Sequence, residues 1–253
     1  MITITILGAG NVAQHLINAF ATAENLSVVQ VYSRQKNNTL VLPELVKITN
    51  DLNDLIAADV YIIAVSDHAI AEVASELPFK NRLVVHTSGS VALDALDDGN
   101  RKGVFYPLQT FTKNKAIDFS NIPICLEAQF SADYQLLEQV AKALSNFVFA
   151  INSEQRKTLH VAAVFVNNFV NELYRIGSEI CEENQIPFEI LQPLIKETAE
   201  KIMSLSPNEA QTGPAKRVDL KTISAHLDFI SDGNQKTIYE VLTQSILQNA
   251  KKL

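Results

Sequence analysis

The sequence predicts an α/β protein in which a doubly wound, mostly parallel sheet is followed by an all-α domain. Three observations predict this class. Apolar runs of strand length alternate with helical patterns up to about residue 151, a glycine-rich turn follows the first run, and no strand pattern occurs after residue 151. The runs are continuously apolar, which is typical of parallel strands that are covered by helices on both faces. We therefore expect one domain over residues 1–151 and a helical domain over residues 152–253.

Eight strand patterns occur in the first domain, and most of them are rich in β-branched residues. We predict strands at 2–7, 27–32, 45–49, 59–65, 82–86, 103–106, 122–127 and 147–151. The helical patterns between them predict helices from the glycine turn to about residue 23 and at 51–57, 67–76, 91–96 and 131–144.

The second domain is predicted from helical patterns and their caps. Asn152 or Ser153 can cap a helix over 154–184, because a short polar side chain accepts from the free amides of a first turn. Further predicted elements are a helix from Pro187 to about residue 205, a loop over 207–217, a helix from Asp219 or Lys221, and a helix over 235–252.

Charge and cysteine content narrow the class of protein. The 253 residues carry a net charge of −7, which argues against a nucleic-acid or anionic-membrane surface because both need clustered cations. Cys125 and Cys181 have no metal-binding spacing, so we expect free, buried thiols. The first residues lack a basic signal-peptide region and no apolar run approaches a membrane span. We expect a cytoplasmic protein.

The glycine-rich turn predicts a dinucleotide site and hence a Rossmann domain. Gly8 permits the tight turn, Gly10 lets a pyrophosphate approach the backbone, and Ala13 lets the helix lie close to the strand. The amides of Asn11 and Val12 then open the helix and face the phosphates. The alternatives are a glycine turn without a ligand and a site for another cofactor.

The end of the second strand favours NADP over NAD. An NAD site usually has a carboxylate there, whereas this strand ends in Ser33 and Arg34, with Lys36 close by. The hydroxyl can donate to a 2′-phosphate and the guanidinium can pair with it. The alternative is a solvated basic turn.

The ends of two later strands should border the same ligand, because ligands of such sheets bind beyond the carboxyl ends of the strands. Val65 and Ser66 are expected to line the nicotinamide ribose or the pyrophosphate, while Asp67 caps the next helix. Ser88 is expected to bound the cofactor and substrate pocket. His86 is a candidate catalytic residue, and its alternative role is packing at the strand end.

The helix over 154–184 offers candidates for acid–base chemistry. At 100° per residue one face carries His160, Val164, Asn167, Asn168 and Asn171, and the opposite face carries Ala162, Phe165, Phe169, Ile176 and Ile180. We predict His160 as the acid–base residue, since histidine titrates near neutral pH. We predict that Asn168 orients the substrate and that the apolar face is a core stripe. The alternative is a structural histidine with solvated amides.

Two loops offer weaker candidates. Gln109 and Thr110 follow a strand end and could bind substrate, and Lys216 and Arg217 could hold a carboxylate or phosphate. Loop packing explains both pairs equally well. The histidines lack paired ligand spacing, so no metal site is expected.

Several of these segments together resemble a known family, the Rossmann-like proteins with a C-terminal DUF2520 domain. The segments are Gly8–Ala13, Ser33–Arg34, 64–67, 86–89, 106–111, 160–163 with 167–168, and 212–217. The family is similar to pyrroline-5-carboxylate reductase and to 6-phosphogluconate and β-hydroxyacid dehydrogenases, and its members are provisionally labelled NADP oxidoreductases. The resemblance implies a helical, often dimerising second domain that closes the active-site cleft.

Two departures from the related families bear on mechanism and geometry. The catalytic lysine of β-hydroxyacid dehydrogenases, four residues before an asparagine, would fall at Val164 if Asn168 is that asparagine. The Arg-Gly-Asp usual after the Gly-Pro turn reads Arg217-Val218-Asp219, so a different turn geometry is expected there.

We predict an NADP-dependent oxidoreductase that transfers hydride between the nicotinamide and a small polar metabolite in the cleft between the domains. A homodimer through the helical domain is expected from the resemblance. The alternatives are a non-catalytic NADP-binding sensor or partner-binding protein, which the missing lysine favours, and a protein for another nucleotide-like ligand such as a deazaflavin.

Overall fold

The computed structural model describes residues 1–35, 46–113 and 115–250. The chain forms two compact units, Met1–Val164 and Phe165–Leu253. The expected domain boundary at residues 151/152 falls at the start of a helix that belongs to the first unit. Among the described residues, no helix is long and apolar enough to cross a membrane.

The first unit is built on one eight-stranded sheet. Its strands are β1 (Ile2–Leu7), β2 (Leu26–Tyr32), β3 (Lys47–Thr49), β4 (Val60–Ile63), β5 (Leu83–His86), β6 (Arg101–Pro107), β7 (Ile124–Ala128) and β8 (Val148–Ala150). The order is β3-β2-β1-β4-β5-β6-β7-β8, and every neighbouring pair is parallel except β6 and β7. The first six strands have the order of a dinucleotide-binding Rossmann sheet, which confirms the predicted fold class.

Helices cover both faces of this sheet. They are α1 (Asn11–Thr22), α2 (Ile70–Ser75), α3 (Ser131–Lys142) and α4 (Ser153–Ala163). Leu16 of α1 and Leu137 of α3 belong to one buried cluster, and Ile70 of α2 belongs to another. The strands β4 and β5 are buried along their whole length, which explains why their sequences are continuously apolar.

Some predicted helices of the first unit are wrong in type or length. The segment 51–57 forms only a 3₁₀ turn over Leu52–Asp54, and the Asp51 side chain accepts from Asn53 N in that turn. The chain leaves the turn in an extended conformation, because the Gln30 side chain donates to Asp54 O and accepts from Ile56 N. The segment 91–96 likewise forms only a 3₁₀ turn, and the helix predicted over 67–76 opens with one before α2. Leu45 and Lys36 lie outside the described residues.

The helix predicted over 154–184 is interrupted. Asn152 caps α4 as predicted, and its side chain forms a reciprocal capping box with Gln155. A π-helical segment over Val164–Phe169 follows, and α5 (Val170–Glu183) completes the run. Single π turns inside α-helices occur frequently at functional sites.

The second unit continues with a 3₁₀ turn over Phe188–Leu191 and four further helices, α6 (Gln192–Lys201), α7 (Pro207–Ala210), α8 (Leu220–Phe229) and α9 (Gly233–Ala250). The helix predicted to begin at Asp219 or Lys221 is α8, and Asp219 caps it by accepting from Thr222 N. The predicted loop over 207–217 contains the short helix α7, because Ser206 and Glu209 form a capping box. The helix predicted to reach residue 205 ends at Lys201.

The predicted core stripe is only partly buried. Ile176 is buried, but Phe165 is 62% exposed and Phe169 is 49% exposed, and Ala162 is also exposed. The two rings contact each other edge to face but stay exposed to this extent, so the prediction of a core face was wrong for the π-helical segment.

Candidate functional site

The glycine turn after β1 has the geometry that a dinucleotide site needs. Gly8 has a φ of 139°, and a Cβ at this position would overlap the carbonyl oxygen of Ala64. A Cβ on Gly10 would meet nothing within 4 Å. Gly8 is therefore required by the fold itself, whereas Gly10 leaves open space where a ligand can approach the backbone.

The amino end of α1 is electrostatically suited to an anion. Gly10 occupies the cap position and has no side chain to bond the free amides, no side chain among the described residues does so, and the first turn contains no acidic residue. Asn11 uses its side chain elsewhere, donating from Nδ2 to the carbonyl oxygen of Phe111 at 3.0 Å. The positive end of the helix is thus left for a pyrophosphate.

A cleft of about 630 Å³ opens in front of this turn. It is lined by predicted cofactor residues from three strand ends: Gly8, Gly10, Asn11, Val12, Ser33, Arg34, Val65 and Ser66. Gln109 and Phe111 complete one side of it. Ser88, the remaining predicted cofactor residue, does not line this cleft.

The side chains at the end of β2 differ in availability. Ser33 is buried, its backbone amide donates to Thr49 O at 3.0 Å, and its hydroxyl donates to Gln35 O at 3.2 Å. Arg34 is exposed at the cleft and makes no salt bridge within the described residues. The Arg34 guanidinium is therefore the exposed cation at the end of β2, while the Ser33 side chain is used within the turn.

The turn after β4 is tied to the turn after β5. The Ser90 hydroxyl donates to the Asp67 carboxylate, and Ser66 Oγ lies 3.2 Å from His68 Nε2. The predicted capping role of Asp67 is wrong: Ser66 occupies the cap position, without a side-chain bond to the amides of the turn, and the Asp67 carboxylate accepts from Ser90 instead.

Two predicted site residues hold the turn after β5. Ser88 Oγ accepts from the amides of Ser90 and Val91, both at 3.1 Å. His86 Nδ1 accepts from Ser88 N at 3.2 Å, and His86 has no exposed surface. Burial, and then the nearby charge of Arg156, lower the pKa of His86 to about 4, so the ring is neutral at neutral pH.

A pair of side chains faces this turn. Tyr106 Oη, near the end of β6, lies 3.1 Å from His160 Nδ1 on α4. A Cβ on Gly89 would come within 2.6 Å of His160 Nδ1 and 2.7 Å of the Tyr106 ring. Burial raises the pKa of Tyr106 to about 12, so the phenol keeps its proton. Tyr106 entered the sequence reasoning only within a motif, and its contact with His160 was not predicted.

A buried ion pair holds α4 in place, and sequence reasoning missed it. Arg156, 1% exposed, pairs with Glu127 at the end of β7 and donates to the carbonyl oxygen of Val91 at 2.6 Å. Glu127 also accepts from the amide and hydroxyl of Ser153. The first turn of α4 is therefore fastened to the sheet and to the turn after β5, and this fixes the part of the helix that carries His160.

The predicted amide face does not follow α-helical spacing. Asn167, Asn168 and Asn171 are exposed and belong to the second unit, beyond or within the π-helical segment. Because a π turn holds more residues than an α turn, counting 100° per residue from His160 does not place them on its face. The described residues contain no group of three histidine, cysteine or acidic side chains that could hold a metal.

These features define a Rossmann-type dinucleotide-binding fold, and comparisons with known proteins give the family of the chain. A family model described as NADP oxidoreductase, coenzyme F420-dependent, matches residues 3–89, and the DUF2520 model matches residues 122–246. A crystal structure from Bacteroides fragilis, provisionally named an NADP oxidoreductase, is 38% identical over 98% of each chain with a TM-score of 0.87. The chain belongs to this NADP oxidoreductase-like family with a DUF2520 domain, as the resemblance predicted.

More distant structures share the fold. A Thermotoga maritima protein is 20% identical over 98% of each chain with a TM-score of 0.75. The pyrroline carboxylate reductase of Plasmodium falciparum, solved with NADP bound, is 12% identical over 100% of this chain and 99% of its own, with a TM-score of 0.63. A search of curated proteins finds no match.

Proposed function

We propose that the protein is an NADP-dependent oxidoreductase acting on a small polar metabolite. The observation that carries the proposal is the combination of the open glycine turn with Arg34 beside one 630 Å³ cleft. A site for NAD alone would need an acceptor for the ribose hydroxyl at the end of β2, where this chain has a cation. Membership of the NADP oxidoreductase-like family also supports NADP as the cofactor.

The residues of the cleft fit the parts of the cofactor. Gly8, Gly10 and the first amides of α1 would hold the pyrophosphate, and Arg34 would pair with the 2′-phosphate. Val65 and Ser66 would border the nicotinamide ribose. When bound, NADP(H) supplies or accepts the hydride.

The chain itself must handle the proton that accompanies the hydride. We assign this role to His160, which is half-buried and hydrogen-bonded to Tyr106. His86 is enclosed and neutral, so we assign it to positioning the turn after β5 rather than to proton transfer. Asn168 stays a prediction for substrate orientation.

The first test is a calorimetric titration of the purified protein with NADPH and, separately, with NADH. Arg34→Ala should weaken NADPH binding at least ~10-fold and leave NADH unchanged, since a charge-assisted hydrogen bond is worth about 1.5–3 kcal/mol. Arg82→Ala is the matched control, because Arg82 is an exposed arginine of the same unit at the start of β5 and thus on the amino edge of the sheet. Absence of binding by either nucleotide contradicts the proposal.

A second candidate function is hydride exchange between NADP(H) and a deazaflavin. The match of residues 3–89 to a model described as coenzyme F420-dependent favours it. A spectroscopic screen with NADPH should therefore include a deazaflavin beside carbonyl and imine metabolites. NADPH binding without turnover of any of them would favour the sensor alternative.

The proton-transfer role of His160 is tested on the substrate that this screen finds. His160→Gln should lower the turnover of that substrate by about 10²–10⁴-fold.

We also propose a homodimer formed through the helical unit. Large apolar side chains are exposed there, including Phe165 at 62%, Val166 at 74% and Met203 at 83%, and such surfaces often mark interfaces. Light scattering should give twice the 27.9 kDa chain mass, and a Phe165→Asp, Val166→Asp variant should give the monomer. A wild-type protein that is monomeric at micromolar concentration contradicts the proposed dimer.

We also propose a cytoplasmic location, which the two buried free thiols support.

A further inference from the structure

The hydrogen bond between Tyr106 and His160 joins side chains that are 54 positions apart in the sequence. Tyr106 Oη and His160 Nδ1 are 3.1 Å apart, and the two rings meet edge to face with centroids 6.1 Å apart. We propose that Tyr106 is a positioning residue, which holds His160 as the tautomer with its proton on Nε2 and aims that proton at the substrate. The tautomer of His160 does not depend on the proposed function, and only the transfer of the Nε2 proton to a substrate rests on it.

The direction of this hydrogen bond follows from the burial of the two partners. Tyr106 is 8% exposed, and within the described residues its hydroxyl has no other hydrogen-bond partner. If Nδ1 carried the proton and donated, the phenol hydrogen would stay in this nearly buried place without an acceptor, which is costly. If the phenol donates, both atoms of the contact are paired, and Nε2–H of the half-buried His160 is left for another acceptor. The pKa of Tyr106, raised by burial to about 12, agrees with a phenol that keeps its proton.

The pair depends on the absence of a side chain at residue 89. A Cβ there would lie 2.6 Å from His160 Nδ1 and 2.8 Å from Tyr106 Oη, closer than such atoms can approach. The turn that carries Gly89 is itself fixed, because Ser88 Oγ accepts from two backbone amides. Gly89 therefore lets the histidine and the tyrosine meet directly against the turn after β5.

The helix fixes the histidine from the other side. Arg156 lies one turn before His160 on α4 and donates to the carbonyl oxygen of Val91, which belongs to the same turn after β5. The ion pair of Arg156 with Glu127 adds a second anchor. With Nδ1 held by the phenol and the helix held by Arg156, the ring has a defined orientation.

This arrangement suits the transfer of a proton from His160 Nε2 to the substrate. The substrate oxygen or nitrogen takes the proton from Nε2, and water returns a proton to the same nitrogen, while the phenol of Tyr106 keeps its own proton and its hydrogen bond to Nδ1. The reverse direction uses the same groups in the opposite order. No carboxylate is needed for this transfer, because the phenol already holds Nδ1.

The test measures the tautomer directly, on the cofactor-free full-length protein. Long-range ¹H–¹⁵N correlation spectra of ¹⁵N-histidine-labelled protein at pH 8 distinguish a protonated from an unprotonated Nδ1, and His160→Gln assigns the signals. We expect Nε2–H in the wild type and a mixture of tautomers in Tyr106→Phe. Gly89→Ala should have the same effect without removing the hydroxyl, and circular dichroism shows whether each variant is folded.

Matched controls exist in the second unit. His226 Nδ1 and Tyr239 Oη form a chemically similar pair at 2.8 Å, so Tyr239→Phe should move the signals of His226 and leave those of His160 unchanged. Gly177→Ala is the glycine control, because its Cβ would approach no atom closer than 3.9 Å. A wild-type His160 with its proton on Nδ1, or a tautomer unchanged in folded Tyr106→Phe, overturns the proposal. Failure of NADPH binding would leave this result standing, so the two proposals fail separately.

Discussion

At the scale of single residues, Val218 stands out because a valine occupies a conformation suited to glycine. Among the described residues four non-glycine residues have positive φ, and Val218, at 57°, is the only β-branched one. The sequence had suggested that the missing glycine changes the turn geometry. The valine adopts a left-handed conformation that a glycine would adopt without strain.

Val218→Gly should therefore stabilise the protein. The strain of such a residue is about 1–3 kcal/mol, and glycine costs about 0.5–1 kcal/mol in chain entropy, so we expect a net gain of about 1 kcal/mol. Val241→Gly, at a similarly exposed position within α9, is the control and should lose about 0.5 kcal/mol, since valine is itself a weaker helix former than alanine. Urea unfolding monitored by circular dichroism compares them, and equal losses in both variants would contradict the argument.

His86 should make the stability of the first unit depend on pH. Its folded pKa is lowered to about 4, by burial first and by Arg156 second, against about 6.5 for an unfolded histidine. Between these values the unfolded chain binds the proton and the folded chain does not, so stability falls as the pH falls through this window. The contribution lost between pH 7 and pH 5 is about 2 kcal/mol.

The measurement is urea unfolding of wild type and His86→Gln at both pH values. The variant should lose less stability than the wild type on going from pH 7 to pH 5. His68→Gln, at an exposed position, should behave like the wild type. Identical pH dependence in wild type and His86→Gln would show that this residue is not the source.

At the scale of elements, a buried ion pair is one of the contacts that anchor α4. Arg156 is 1% exposed and Glu127 is 16% exposed, and removal of one partner of such a pair leaves an uncompensated charge. We expect Arg156→Ala to lower the free energy of unfolding by about 3–5 kcal/mol. The exposed Arg175 pairs with Glu172 and Glu179, and Arg175→Ala should leave the unfolding midpoint unchanged. Equal effects of the two substitutions would contradict this role of the pair.

The elements also show how far the sequence could be interpreted. Strands such as β4 and β5 could be predicted because continuous apolar runs have few alternatives in a parallel sheet. The π-helical segment Val164–Phe169 could not, since its residues have no composition that distinguishes it from an α-helix. The helix predicted over 51–57 failed because the side chains of Asp51 and Gln30 satisfy the backbone of that segment in another way.

At the scale of the whole molecule, the cleft at the glycine turn was predictable and the pair of Tyr106 with His160 was not. The glycine turn and the strand ends follow from topology, because the carboxyl ends of parallel strands share one edge. The contacts of Tyr106 with His160 and of Glu127 with Arg156 join residues 54 and 29 positions apart, and no local pattern announces such pairs. His160 was found as a residue type, but its partner required the three-dimensional structure.

The two compact units lead to a prediction about where NADPH acts. The whole cleft belongs to the first unit, so saturating NADPH should slow amide hydrogen exchange there, above all in the first turn of α1, whose amides no side chain caps. At an NADPH concentration 100 times the dissociation constant, binding stabilises the bound state by about 2.7 kcal/mol. Amides that exchange only after the ligand leaves should then exchange roughly 100-fold more slowly. The helices α8 and α9 should exchange as before. Mass spectrometry of peptides resolves the two units, and Arg34→Ala at the same NADPH concentration is the control. Protection confined to the second unit would mean that the nucleotide binds elsewhere and that the open glycine turn serves the fold alone.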